Sequence, residues 1–321
     1  MNKTIKFNRH EKMDFVTSLR KRVNLYFIEK ETTRKANGLM FGKIAIYLAG
    51  LVASFVGLLV CDTVLWSLIF WVLLGFFTAF TALNICHDAI HGSISKNQKV
   101  NQFFSSLFNV IGANDYVWEY AHNKVHHSYT NVQGHDEDVD AIPFVRTSPH
   151  QKHRGHHRFQ AFYALPLYGL ATISWVFVKD YVKMAKGQIG ETPMPIDRKK
   201  VLRMISYKLI YYILYLVLPL VFLPFSVSTI LAGFCLMHFV EGFTIGIIFM
   251  LAHLVEHVTF PLPDETGTLE NNWATHQLVT TANFAQESKF VGFVTGGLNF
   301  QVEHHLFPDV CHVHYPAISK I

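Results

Sequence analysis

Four long apolar runs set the frame of this chain: residues 43–60, 64–86, about 209–225, and 227–251. Each approaches the roughly 20 residues that a helix needs to cross a bilayer. The first two are separated only by Cys61-Asp62-Thr63 and the last two by a Pro-Phe-Ser break at 224–226, so each pair reads as a helical hairpin. The expected architecture is an all-α integral membrane protein with four transmembrane helices in two hairpins. Between the pairs, residues 92–158 are polar, and Phe103, Phe104, Leu107, Phe108 and Ile111 mark an interfacial helix. Before them, residues 1–38 are rich in Lys and Arg, with Phe15, Leu19, Val23 and Phe27 at helical spacing. That pattern predicts an amphipathic segment on the cytoplasmic surface, followed by one membrane unit over 39–321.

The stretch 159–178 is apolar enough to compete as a fifth span. Counting it would put the basic residues of 179–203 outside and send the chain's last third to the opposite face. That violates the positive-inside bias, and Pro166 and Gly169 also interrupt the run, so it is placed in the interface or half-buried.

Composition agrees with the pattern. Half the residues are hydrophobic, 28 are Phe and only 16% are charged. The formal charge of +5 comes from residues flanking the apolar runs rather than from one patch, which argues against a nucleic-acid partner. Four cysteines without a Cys-x-x-Cys pair give neither a disulfide framework nor a zinc ribbon.

Histidine changes the picture. Three clusters stand at or near the ends of apolar segments: His87 and His91; His122, His126 and His127; His304 and His305. Histidines four apart on a helix share a face, and neutral imidazole is the commonest metal ligand. Seven exceed what one tetrahedral zinc takes, so the clusters read as ligands of a metal pair, carried by a cytoplasmic helical cap. The fourth apolar run ends in His253 and His257; His253 emerges first and is the better additional ligand, while His257 is equally a solvated loop residue. Asp88, Asp136, Asp138, Asp140 and Glu303 are natural acceptors for the far imidazole nitrogens. Such a ligand set suits redox-active iron and oxygen chemistry on a lipid chain. His238 and Glu241, one turn apart inside the fourth run, would line an acyl tunnel, bind a headgroup, or form a helix–helix hydrogen bond. His156 and His157, with His150 and His153, read as headgroup or CoA-phosphate contacts, and Trp118, one turn before His122, as a substrate contact at the interface. His276 would be a late ligand, a substrate contact or neither, and His10, His135, His312 and His314 take no role in this reading.

The order His-x-x-x-His, His-x-x-x-His-His, Gln-x-x-His-His between paired apolar runs resembles the membrane fatty acid desaturase family. The neighbouring residues share the resemblance: His87-Asp88-Ala89-Ile90-His91-Gly92-Ser93, His126-His127-Ser128-Tyr129-Thr130-Asn131, and Glu303-His304-His305-Leu306-Phe307-Pro308. Gln301 in place of the third box's first histidine is similar to the front-end subgroup. Those enzymes insert a double bond between an existing one and the carboxyl end. The resemblance implies two iron ions, dioxygen as co-substrate, a fatty acyl substrate, and ligation by His87, His91, His122, His126, His127, His304 and His305 with His253. Gln301 would ligate, hold a water or orient a neighbour. No His-Pro-Gly-Gly of a fused cytochrome b5 domain is present, so a separate ferredoxin or cytochrome b5 would supply electrons. The rival readings are a lipid hydroxylase of the same superfamily and a membrane metal transporter, though a transport path would spread its ligands through the bilayer depth.

Overall fold

A computed structural model describes residues 5–8, 14–139 and 144–321. It is mostly helical. In chain order the elements are α1 (Asp14–Glu29), α2 (Gly38–Val60), α3 (Val64–Ile90), α4 (Gln98–Val110) and α5 (115–129). Then come α6 (Gly155–Tyr168), α7 (Ala171–Lys186), α8 (Arg198–Phe222), α9 (Val227–His253), α10 (Trp273–Thr280), α11 (Lys289–Val294), α12 (Gln301–Leu306) and α13 (Tyr315–Ile318). Two short strand pairs accompany them: β1 (Lys6–Phe7) lies parallel to β4 (Thr268–Leu269), and β2 (Gln188–Ile189) antiparallel to β3 (Thr192–Pro193).

The four helices α2, α3, α8 and α9 are long and apolar enough to cross a bilayer. Each starts on a side-chain cap that satisfies an otherwise free N–H: Asn37, Thr63, Asp197 and Ser226 accept from Met40, Trp66, Lys200 and Thr229. Rows such as Val52, Val56 and Val60 or Ile213, Val217 and Val221 remain exposed, as lipid-facing positions require. α8 begins eleven residues before the apolar run that marks it, because Arg198, Lys199, Lys200 and Arg203 on its first turns mask it as a loop.

α9 packs chiefly along α3, and α2 along α3 from the other side. Small residues permit the approach: a Cβ on Gly75 would stand 2.5 Å from the carbonyl oxygen of Met237. The ambiguous stretch is not one straight span. α6 and α7 meet at a 66° bend after Pro166, and α9 closes on the bend at Gly242, where a Cβ would lie 2.8 Å from the carbonyl oxygens of Tyr168 and Gly169. Taken as one, that bent pair would make a fifth span.

The amphipathic reading of α1 needs a different phase. Val16, Val23 and Phe27 are buried against Phe300, Leu306, Phe307, Val310, Tyr315 and Ile318, whereas Phe15 is 55% exposed. The helix therefore spends its apolar stripe on the protein's own C-terminal segment.

A candidate metal centre

Two departures from regular helix aim the histidines. The end of α3 widens into a π turn at 82–86, directly before His87, and α5 does the same over 120–126. Such turns close i to i+5 and recur at functional sites. In α5 this brings His122 and His127, five apart, to ring centroids 4.6 Å apart, with His126 stacked on His122 at 5.3 Å. The π turn of α3 is held by the end of α11: Asn84 donates to the Val294 carbonyl at 3.0 Å. Gly296, at φ +67°, lies so close to Leu83 that a Cβ would strike its carbonyl.

All three clusters and His253 converge. His87 and His304 lie 4.5 Å apart, His91 and His127 4.8 Å, His127 and His305 4.2 Å, and His126 and His253 4.7 Å, centroid to centroid. Their nitrogens sort into two groups able to hold a metal ion, His87, His91, His122 and His304 in one and His126, His253 and His305 in the other, with His127, His304 and His305 between them.

The donor atoms fit a metal. Buried ring nitrogens on six of the imidazoles have no hydrogen-bond partner: Nδ1 of His87 and His127, and Nε2 of His91, His126, His304 and His305. Orphaned buried polar atoms are costly, and with Nε2 of His87 and of His127 each 3.1 Å from His122 Nε2, imidazole nitrogens gathered this closely suit an occupant that accepts lone pairs. The far nitrogens are fixed. Nδ1 of His126 meets Asp136 at 3.0 Å, that of His304 the Tyr315 hydroxyl at 3.2 Å, that of His305 Gln277 Oε1 at 2.7 Å, and that of His253 the Thr280 carbonyl at 3.2 Å. Each bond orients its ring and turns Nε2 inward. Burial, reinforced by the neighbouring imidazoles, pulls the pKa of His91, His122, His127, His304 and His305 well below the usual histidine value, so they are neutral and able to ligate. For His126 burial acts in the same direction, but the charge and hydrogen bond of Asp136 outweigh it and its pKa is raised.

Other expected residues fall elsewhere. The Asp88 carboxylate accepts from the ring Nδ1 and backbone N–H of His312, at 2.9 and 3.2 Å, instead of orienting a box imidazole. Glu303 accepts from Asn283 Nδ2 at 2.8 Å, which braces the start of α12. Gln301 stands inside the centre, its amide nitrogen 2.8 Å from His253 Nε2. His257 is exposed and outside the cluster, because α9 stops at His253 and the i+4 phase is lost. His238 bonds Thr172 and Tyr211 at 3.0 and 2.8 Å and lines neither of the two cavities described below, so it links helices. His156 and His157 sit in a short turn at 155–159, away from the centre. Asp140 and His10 lie outside the described residues.

Sequence reasoning missed Tyr315 and Gln277, which fix rings from outside the boxes, and His312, whose Nε2 reaches buried Lys43 Nζ at 2.7 Å. It left His276 open; its ring is wholly buried, with both nitrogens unpartnered, and no pattern announces it.

A cavity of about 120 Å3 opens beside the centre. His122 and His253 form one wall, and Trp118, Trp175, Ile245 and Phe249 give it an apolar interior. Trp118 stacks on His122 at 4.4 Å. Glu137 and Lys183, paired at 2.7 Å, stand at its polar end. A smaller chamber shares Ala113, Trp175 and Ile245 with it and reaches Glu241.

Four helices long and apolar enough to cross a membrane, a histidine cluster that could bind metal, and an apolar cavity against that cluster point to a membrane enzyme that works on an apolar chain. Comparison makes this specific: the chain belongs to the fatty acid desaturase family, whose pattern matches residues 63–321. It is 35% identical to an sn-1 linoleoyl-lipid 6-desaturase of Synechocystis sp., covering 99% of this chain and 88% of that one. It is 35% identical to an acyl-lipid (8-3)-desaturase of Physcomitrium patens, over 99% of this chain and 67% of that one. An sn-1 linoleoyl-lipid 6-desaturase of Arthrospira platensis is 32% identical over 96% of this chain and 83% of its own length. The protein is a fatty acid desaturase, an oxidoreductase of lipid metabolism.

Proposed function

We propose that this desaturase is a front-end enzyme acting on linoleoyl chains of membrane lipids, with two iron ions as cofactor and dioxygen as co-substrate. The observation that carries the reading is the convergence of eight imidazoles, six of them with a buried, unpartnered ring nitrogen. His87, His91, His122 and His304 would hold one ion, His126, His253 and His305 the other, with His127 between. Gln301 would set the position of His253. Bound iron supplies the oxidant that an unactivated C–H bond requires, which no side-chain acid or base provides.

The rest falls to the chain's own residues. Trp118, Trp175 and Phe249 exclude water and hold the acyl chain along the wall formed by His122 and His253. Glu137 and Lys183 keep the polar end of the lipid at the mouth, so the distance from mouth to histidines selects the carbons. In the bilayer, α2–α3 and α8–α9 form two hairpins, with the histidines in a cytoplasmic helical cap of the 39–321 unit and α1 against its surface. Electrons come from a separate carrier of ferredoxin or cytochrome b5 type.

The test is the fatty-acid profile of a host that expresses the chain and is fed linoleic acid, with derivatisation before mass spectrometry. A new double bond on the carboxyl side of the existing ones is expected. A hydroxy acid would transfer the reading to a hydroxylase, and a bond on the methyl side would refute the front-end assignment.

A further inference from the structure

Desaturation with dioxygen has an electron requirement that the acyl chain meets only by half. Removing two hydrogens from –CH2–CH2– while reducing O2 to two waters takes two further electrons and two protons. A reduced one-electron carrier must deliver those electrons, one per carrier oxidised, and must reach the histidine cluster without crossing the acyl cavity.

The second hollow of the molecule meets that requirement. It encloses about 390 Å3 between α1 and the segment that follows the third box. Arg20, Asn24, Arg34, Trp273, Phe307 and Asp309 line it, and it shares no lining residue with the acyl cavity. Its floor reaches the cluster twice. Leu306, which also lines it, directly follows His305 in the chain. Trp273 is half-buried, and its indole Nε1 donates to the backbone carbonyl of His127 at 3.0 Å. A single aromatic side chain thus joins an open surface to the residue that stands between the two metal groups.

Arg20 and Arg34 line the hollow, and the segment that carries them is cationic. Residues 14–35 carry Arg20, Lys21, Arg22, Lys30, Arg34 and Lys35 against Asp14, Glu29 and Glu31, six charges to three. Arg20, Lys21, Arg22 and Lys30 are exposed. Asp309, the acid within the hollow, is already paired with Arg34 at 3.0 Å. α1 is held in place by Val16, Val23 and Phe27, so this charge is presented on a fixed element.

We infer that this hollow docks a small acidic one-electron carrier protein and that Trp273 links the docked carrier to His127. The inference rests on the oxygen-dependent reading above. An anionic bilayer surface would also be drawn to the cations, but it gives no reason for a concave site whose floor is bonded to the histidine cluster.

The test uses the metal-loaded enzyme in detergent and a plant-type [2Fe–2S] ferredoxin as probe, with equilibrium binding and stopped-flow reoxidation as readouts. The double variant R20E/K21E should weaken ferredoxin binding about tenfold at low salt and flatten its salt dependence, with dithionite-driven turnover unchanged. Trp273→Leu should leave ferredoxin binding intact while slowing its reoxidation about tenfold, and Trp273→Phe, which keeps an aromatic ring, should recover most of that rate. Unchanged binding in R20E/K21E overturns the docking site. So does a loss of binding to vesicles containing phosphatidylglycerol with ferredoxin binding intact, which would give the surface to the bilayer. Unchanged reoxidation in Trp273→Leu overturns the link, and if that variant fails to fold, the surface pair still decides the docking. Ferredoxin binding at the hollow, without any new double bond under any reductant, would sink the proposed chemistry and leave the docking site standing.

Discussion

Asp136 is the best single lever on the centre. Its Oδ2 accepts both His126 Nδ1–H, at 3.0 Å, and the backbone N–H of Asn131, at 2.9 Å, while Oδ1 accepts the N–H of Asp138 at 3.1 Å. Asp136→Asn keeps the shape but has only one acceptor oxygen. The better orientation keeps that oxygen on His126 and Asn131 and turns the amide NH2 onto the N–H of Asp138. A charged acceptor is worth about 1.5–3 kcal/mol against about 0.5–1.5 for a neutral one, so roughly 1–2 kcal/mol is lost at His126. The orphaned N–H of Asp138 costs about 1–3 kcal/mol more. A less basic, less firmly held His126 should lower metal affinity about 10–100-fold. The assay is iron content and chelator competition on purified protein. A pH series gives a signed check. In the parent, Asp136 raises the pKa of His126, so acid should displace metal at a higher pH than in the variant, where burial pulls that value down against the charge of Asp138 alone. Equal affinity in the two proteins, or the same acid threshold, would refute the orienting role of Asp136 and the ligand assignment of His126 with it.

Three further changes probe the frame. Gly296→Ala forces a side chain into a left-handed position against the Leu83 carbonyl, so it should cost more than about 1 kcal/mol and lower the melting temperature in detergent; an unchanged melt would refute the close packing. His276 is buried, and burial pushes its pKa down to about 4. The unfolded chain takes up that proton near pH 6.5 and the folded one does not, so His276 should contribute a fall in stability of up to about 3 kcal/mol between pH 6.5 and 4, and His276→Gln should remove that share of the slope. Parallel stability curves for parent and variant would exclude it. His238→Leu should destabilise by about 1–3 kcal/mol through the stranded Tyr211 hydroxyl, since Thr172 keeps its bond to the backbone carbonyl of residue 238, yet leave the product unchanged; a shifted double bond in the product profile would return His238 to the substrate path.

What the sequence discloses about this site follows from how far along the chain each contact reaches. The spans and boxes are legible because hydrophobic length and clustered imidazoles are local signals. Asp136 is legible for the same reason, standing ten residues after His126 in an acidic run. Phase is a harder matter: a straight α-helix would pair His122 with His126, whereas the π turn also brings His127 into the centre, and no residue type announces a π turn. Partners beyond the boxes are harder still. Gln277 reaches His305 from another helix, and His312 reaches Asp88 across 224 residues, so nothing near the first box identifies it. α1 joins both cases, for its apolar stripe is readable while its partner, the segment 300–318, is found only by folding. That partner explains why the C-terminal segment matters. His304 is oriented by Tyr315, and Asp88 is held by His312, whose neighbour Cys311 donates to the Arg34 carbonyl at 2.8 Å. A strap from α1 through residues 309–315 therefore closes the first and third boxes on each other, and the same closure forms the hollow in which Trp273 meets the surface.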